Sequence, residues 1–505
     1  MKLILSKKES QSLDKLSNSK KYISSDKLMN NAGKLSAQYF VENIQNPFNQ
    51  KVLVIAGNGN NGSDAFIMHY YLKKYGVNSK IFFFNRDNHK KLFNKYYLSD
   101  YCEIDSVNTL TIESFDWFVD GIFGVGLNRP IQGKFRDIIL LLAGKMVFSL
   151  DIPSGICSNS GQPLSDIYCK PTFVVGMGYF KPGNIMNSGK EFFQNTHILD
   201  IDFPQAEDVI KVEKKFLVEK SDIKALIKKE DLLMNKYNSF CSLIVGSKKY
   251  SGAGILAMLA TLKSASSYVQ TLVPGSISDL YRDKCAESKI VEIGQKDFFS
   301  SDSYDNAIMN LSSRKSPVLI GPGLGERKAT KNFTIKILNY LKKEKYKCVI
   351  DASAFEPLYS KEIKIKDLPD NCIITPHRGE FDKIFPKYYR SVKSELEICS
   401  DIAKELDGRV LILKGPTTII VSSDKKIFLI NNSNSLLATA GSGDILSGII
   451  TGLLSRGYSL DEASLIGVYI QGLCSEIFYL EKSKYNMTSI DILNLIQCAF
   501  NEILL

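Results

Sequence analysis

The chain has 505 residues, of which 44% are hydrophobic and 23% charged; this is material for two to four globular units and excludes a disordered, collagen-like or disulfide-framework protein. The net charge of +10 (64 Lys+Arg against 54 Asp+Glu) is modest for the length. No long block of like charge occurs, so lysine-rich solvated faces are expected and a nucleic-acid-binding stripe is not.

The ten cysteines (Cys102, Cys157, Cys169, Cys241, Cys285, Cys348, Cys372, Cys399, Cys474 and Cys498) form no CxxC pair, and there are only four histidines. Reduced thiols are expected and a zinc site is not. The opening residues, MKLILSKKESQSLDKL, hold no apolar core of signal-peptide length. The most apolar stretch, residues 436–454, carries Asp444 and several Ser, Thr and Gly, so it does not read as a membrane span. These readings predict a soluble, cytoplasmic protein without membrane or nucleic-acid partners.

In chain order, KVLVIAG (residues 51–57) predicts a buried strand, AFIMHYYLKKYG (65–76) a helix and KIFFF (80–84) a second strand, together a βαβ unit. FDWFVDGIFG (115–124) and MVFSLDIPSG (146–155) are apolar strands that close on Asp120 and Asp151 before a glycine turn. Such alternation implies a doubly wound parallel sheet, with ligands outside the carboxyl ends of its strands. A lysine-rich stretch, residues 205–235, separates two differently patterned halves. We place the boundary near residue 210, giving domains 1–209 and 210–505.

The second half alternates as well. CSLIVGSKKYSGAGILAMLATLKSA (241–265) reads as strand, loop and helix. PVLIGPGLG, KCVIDASAF, NCIITPHRGEF and RVLILKGPTTIIVSS each read as a strand running into a polar turn. Residues 437–457 run from a small-residue loop into a helix with Ile445, Leu446, Ile449, Ile450, Leu453 and Leu454 on one stripe. The fold class expected is therefore α/β in two domains.

GNGNNGSD (57–64) lies between a strand and a helix, where backbone N–H groups and the helix dipole favour an anion. Its paired asparagines add amide oxygens for a hydroxyl or a hard cation. Asn61, Asp120 and Ser154 form an oxygen set suited to a large cation, and a desolvated strand-end carboxylate is suited to acid–base work.

LMNNAG (28–33), GNGNNGSD, VDGIFGVGLNRPIQG and LDIPSGI occur in this order over residues 10–205 and resemble the NAD(P)H-hydrate epimerases, with a Rossmann-like domain. That resemblance implies epimerisation at C6 of the hydrated nicotinamide ring, with bound potassium. It would place Asn60, Asn61, Gly62, Ser63 and Asp64 against the hydrate. The same holds for the segment Gly124, Val125, Gly126, Leu127, Asn128, Arg129 and Pro130, and for Asp151. Asn61, Asp120 and Ser154 would hold potassium, with Asp120 also the acid/base.

In the second half, AGSGD (440–444) opens an apolar helix. Small residues there let backbone donors crowd a transferring phosphoryl group beside a carboxylate able to take a hydroxyl proton. KGPTT (414–418) offers a cation and hydroxyls to a nucleotide. With VGSKKYSGAGILAMLATLKSASSYV, IGPGLG, IDASAF, TPHRGEF and ATAGSGDILSGIITGLL, these segments resemble the ADP/ATP-dependent NAD(P)H-hydrate dehydratases of ribokinase-like fold. The resemblance implies phosphorylation of the C6 hydroxyl of the (S)-hydrate by ADP, carrying Mg2+, and loss of phosphate. Ala253, Gly325, His377 and Asp444 would face the hydrate. Lys414, Gly415, Pro416, Thr417, Thr418 and Gly443 would bind the nucleotide, with Asp444 as base. A homo-oligomer acting only on small molecules is expected. The alternative is a ribokinase-like kinase for a vitamin precursor or sugar, with a non-catalytic nucleotide-binding first domain.

Overall fold

A computed structural model describes residues 1–96, 107–229, 235 and 237–505. Cys102 and positions 230–234 of the lysine-rich stretch lie outside the described residues. The chain divides into two compact units, Lys2–Lys214 and Lys215–Leu505, the latter grouped with Met1. The division falls past the expected 209/210 boundary because Ile210 and Val212 pack against the core that Leu5, Leu13, Ala206 and Val209 form in the first unit.

The first unit holds six parallel strands: β1 (Lys51–Ala56), β2 (Asn78–Phe83), β3 (Trp117–Gly121), β4 (Met146–Leu150), β5 (Phe173–Met177) and β6 (Thr196–Leu199). Their order is β2-β1-β3-β4-β5-β6, every neighbouring pair parallel. The chain leaves β1 toward β2 on one side and returns to β3 on the other. The crevice between the ends of β1 and β3 is therefore the topological switch point at which doubly wound sheets bind ligands. Helices α1 (Lys7–Ser19), α2 (Ser25–Asn43) and α3 (Asn60–Lys74) belong to this unit. Val52, Val54, Ala65, Phe66 and Phe40 are among the residues of its main core. Strand β1 buries every residue after Lys51, as a central parallel strand covered on both faces must.

The second unit carries β7 (Lys215–Leu217), β8 (Phe240–Ile244), β9 (Tyr268–Pro274), β10 (Lys289–Ile293), β11 (Val318–Ile320), β12 (Cys348–Ile350), β13 (Cys372–Ile374), β14 (Val410–Leu413), β15 (Thr418–Val421) and β16 (Ile427–Ile430). From β10 the order runs β10-β9-β8-β11-β12-β13-β14-β15-β16-β7. From β10 to β14 the pairs are parallel, while β15 is antiparallel to both of its neighbours. The switch point here lies between β8 and β11. Helix α4 (Ser251–Ser264) follows β8, and α5 (Ser442–Ser455), α6 (Leu460–Glu481) and α7 (Ser489–Leu504) close the chain.

The α5 stripe read from the sequence is buried in the main core of this unit together with Ala257, Met258 and Ala260 of α4. A Cβ on Gly448 would stand 2.4 Å from the Ala257 carbonyl oxygen, and Thr261 Oγ1 donates to the Gly448 carbonyl at 3.1 Å. The two helices thus meet backbone to backbone. Helix α6 is long and apolar enough to cross a membrane, with a mean hydropathy of 1.3, but 78% of that window is buried inside its own unit. The described cysteines are all free thiols.

Candidate active sites

In the first unit a cavity of about 860 Å³ opens at the switch point. Its lining includes Asn60, Asn61, Asp64, Asp151 and the segment Gly124 to Arg129. Gly62, Ser63 and Pro130 do not line it. Gly62 serves a close approach, since a Cβ there would stand 1.9 Å from the Gly57 carbonyl oxygen. Ser63 turns its hydroxyl to His89 Nδ1 at 3.2 Å.

Asp120 is completely buried and does not line the cavity. Its Oδ1 accepts from Ser154 Oγ at 2.6 Å and Ile122 N at 3.2 Å; its Oδ2 accepts from Ser149 Oγ and Ser154 N, each at 2.9 Å. Four donors hold the carboxylate in place, so the expectation that Asp120 also moves protons on the substrate does not fit its position. Asn61 donates through Nδ2 to the carbonyls of Phe123 (2.9 Å) and Leu150 (3.3 Å). Its buried Oδ1 has no hydrogen-bond partner. An orphaned buried amide oxygen is costly unless something takes its lone pairs. The Ser154 hydroxyl accepts from Phe123 N at 2.9 Å and donates to Asp120 Oδ1 at 2.6 Å, so with Asn61 Oδ1 the donor set is all oxygen. It fits a weakly demanding monovalent cation.

Two residues that sequence reasoning missed add charge to this cavity. Lys181 is 3% exposed; its ammonium donates to Asp151 Oδ1 at 2.7 Å and to the Met177 carbonyl at 2.9 Å. Asp14, on α1, lines the same cavity. Lys181 follows β5 in GYFKPG, another strand running into a polar turn, and that pattern could have flagged it. Nothing in the polar helix around Asp14 could. Asp151 sits at φ 65°, a left-handed conformation that non-glycine residues adopt rarely and that clusters at functional sites. Its Oδ2 accepts from Val125 N at 3.2 Å.

Asp64 faces this cluster, and burial, followed by the negative charges of Asp151 and Asp14, pushes its carboxyl well above the usual carboxylate range despite Lys181. Burial likewise raises Asp14. The first cavity therefore combines an Asp151 matched by the Lys181 ammonium with an Asp64 carboxyl held above the usual carboxylate range, a pairing suited to acid–base chemistry.

In the second unit Gly441 caps α5 in a left-handed conformation (φ 87°) that glycine adopts freely. Asp444 follows in the first turn, half-buried. Burial, then the like charge of Asp351, pushes its carboxyl up to about 7, against the lowering effect of Lys414; Glu380 raises it further. Lys414 Nζ donates to Asp351 Oδ1 at 3.2 Å and would lie 3.1 Å from a Cβ on Gly443. Ala253 and the GPGLG turn come together: a Cβ on Gly323 would stand 3.3 Å from the Ala253 Cβ, and Gly325 N donates to Ser353 Oγ at 3.2 Å.

Thr417 and Thr418 are buried, and their hydroxyls are committed internally, to Asn431 Oδ1 at 2.7 Å and the Gly415 carbonyl at 3.4 Å. Only Gly415 and Pro416 of that loop are exposed. His377 caps the helix Arg378–Ile384, its Nδ1 accepting from Gly379 N at 3.0 Å. Its ring remains largely exposed, with Nε2 3.5 Å from Glu380 Oε2. Leu436 is 6% exposed and lies in the main core of this unit. Asp351 and Glu380 lay unassigned within the segments IDASAF and TPHRGEF.

The Asp64 environment makes a stability prediction. Its folded-state carboxyl binds a proton more tightly than the unfolded chain's, so ionising it costs stability as pH rises above the ordinary carboxylate value. Asp64→Asn is expected to match the parent below about pH 4 and to exceed it at about pH 7.5. Urea denaturation followed by fluorescence of Trp117, the single tryptophan, reads the difference; a variant no more stable at the higher pH contradicts it.

A family model described as NAD(P)H-hydrate dehydratase matches residues 241–498, and one described as YjeF-related protein N-terminus matches residues 25–183. The chain is similar along its length to proteins named bifunctional NAD(P)H-hydrate repair enzyme. That of Dictyoglomus turgidum is 29% identical over 496 residues, covering 94% of each chain. That of Thermofilum pendens is 27% identical over 510 residues, covering 97% of this chain and 95% of the relative. A ribokinase-like superfamily protein of Enterococcus faecalis V583 shares the fold of the second unit. It aligns at 21% identity with a TM-score of 0.50, over 58% of this chain and 98% of its own. With its family model spanning more than half of the residues, the chain belongs to the NAD(P)H-hydrate dehydratase family.

Proposed function

We propose that the chain is a bifunctional nicotinamide-nucleotide repair enzyme. Its first unit interconverts (R)- and (S)-NAD(P)H hydrate, and its second dehydrates the (S) form with ADP, yielding NAD(P)H, AMP and phosphate. The carrying observation is Asp444: a half-buried carboxylate poised near neutrality, at the first turn of α5, with the Lys414 ammonium beside Gly443.

At the second site Asp444 takes the proton of the C6 hydroxyl. The freed oxygen attacks the terminal phosphorus of ADP, and AMP leaves. The N–H groups at the start of α5 and the Lys414 ammonium stabilise the charge spread over the phosphoryl oxygens. The phosphate ester then leaves C6, and loss of a proton from the neighbouring ring carbon restores the double bond. Among the described residues no cluster of three or more His, Cys, Asp or Glu is placed to hold a metal. Magnesium therefore fits best as a passenger on the nucleotide's phosphates, its common mode in phosphoryl transfer.

At the first site the Lys181-matched Asp151 and the Asp64 carboxyl are the groups positioned to accept and supply protons as C6 inverts. Potassium would be held by Asn61 Oδ1, Asp120 and Ser154, supplying fixed positive charge beside the Gly124–Arg129 loop. A small-molecule kinase with a non-catalytic first domain is not favoured. The first unit retains a charged cavity with matched and unmatched carboxylates, and the relatives similar over both halves carry the repair-enzyme name.

Two tests follow from this reading. Asp444→Asn is expected to lower ADP-dependent recovery of reduced-nicotinamide absorbance by about 10²-fold or more while epimerisation continues. In the parent the rate should climb with pH through about 7 as Asp444 ionises. Recovery at the parental rate would overturn the assignment. Asn61→Ala is expected to abolish potassium stimulation of epimerisation and potassium-dependent thermal stabilisation together. Retention of both effects would remove Asn61 from the cation site.

A further inference from the structure

The dehydratase reading uses Lys414 and Asp444 but leaves Asp351 without a role. It is 1% exposed and stands at the carboxyl end of β12. Its carbonyl oxygen would lie 1.8 Å from a Cβ on Gly321, so the GPGLG turn can pass only because that position is glycine. The next residue, Ala352, is held at φ 49°, a conformation costing about 1 kcal/mol or more for a residue with a side chain. A buried carboxylate flanked by a strained alanine is not what packing alone selects.

Lys414 reaches Asp351 Oδ1 at 3.2 Å with its side chain 19% exposed. The same ammonium would stand 3.1 Å from a Cβ on Gly443, the residue before Asp444. Lys414 thus has two carboxylates within its range and bonds to one. The charged and titratable groups facing Asp444 are Asp351 beyond β12, Glu380 on the helix Arg378–Ile384, Lys414 beyond β14 and Tyr281 on the helix Ser278–Arg282. His377 stands beside Glu380. Lys414 is the sole cation that acts on Asp444 within this set. Burial alone would lower the Lys414 ammonium, but Asp351, Glu380 and Asp444 together outweigh it and keep it charged.

We propose that Asp351 is a positioning residue of the dehydratase site: it holds the Lys414 ammonium at the anion pocket and away from Asp444, so that Asp444 stays a competent base. Without that competitor the ammonium pairs with Asp444. An ion-paired carboxylate is a weaker base and ionises at lower pH. The ammonium is at the same time withdrawn from the phosphates it should meet. This inference rests on the dehydratase reading.

The test compares full-length parent, Asp351→Asn and Asp351→Glu in the ADP-dependent reaction across pH, with AMP binding measured by calorimetry. Asp351→Asn is expected to move the acidic limb of kcat down by about one pH unit or more, to lower the plateau kcat about tenfold or more and to weaken AMP binding about tenfold; a moved limb with parental AMP affinity would reflect only the lost charge of Asp351 and overturns the positioning role. Asp351→Glu, which keeps the charge, should return the limb toward the parental position. A purely structural role would reduce kcat and thermal stability together and leave the limb in place; that result overturns the proposal. If Asp351→Asn does not fold, Asp351→Ser carries the same expectation, and if neither neutral variant folds, Asp351 is a structural residue and the proposal falls. A parent that binds AMP yet shows no dehydration at any pH contradicts the function proposed above, separately from the role of Asp351.

Discussion

A carboxylate left unmatched at the buried end of a parallel strand costs several kcal/mol, and both units are organised around meeting that constraint. In the first, Asp120 is matched by four hydrogen-bond donors and Asp151 by the Lys181 ammonium. In the second, Asp351 is matched by Lys414. These pairings fix the strand ends, and the loops around them (the Gly124–Arg129 segment, the GPGLG turn, the start of α5) take their shape from the same groups.

The proposed chemistry uses the carboxyls whose matching is incomplete. Asp64 and Asp444 face like charges without a full share of cation, and both are held above the usual carboxylate range. The two sites use this differently. At the first, a matched and an unmatched carboxyl share one cavity, which the proposed function uses as base and acid. At the second, Asp444, the base of the proposed function, stands in the first turn of α5. In the proposed function the backbone of the small residues there does the binding, since Thr417 and Thr418 turn their hydroxyls inward.

Much of this was legible in the sequence, because parallel strands buried on both faces write themselves as apolar runs and their ends as Asp or Gly. The runs at 51–57, 115–124 and 146–155 predicted strands β1, β3 and β4, and the stripe from Ile445 to Leu454 predicted the buried face of α5. The antiparallel strand β15 was hidden in RVLILKGPTTIIVSS because its turn residues doubled as a nucleotide-loop pattern. What periodicity could not carry was the partner of each charge. Lys181 lies 30 residues from Asp151 and Lys414 lies 63 from Asp351, and only the fold brings them within bonding distance. For the same reason Asp120 read as an acid/base, while its four donors come from residues whose convergence no local pattern encodes.

The central claim is that two different sites on one chain act in sequence on the same damaged cofactor. It is tested most directly by giving the full-length protein a mixture of (R)- and (S)-NADH hydrate with ADP and following reduced-nicotinamide absorbance to its end point. Spontaneous epimerisation is subtracted from a control lacking the protein. The account predicts conversion of both epimers to completion. Recovery that halts at the fraction initially present as the (S) form would contradict it, leaving the first unit without the activity assigned to it.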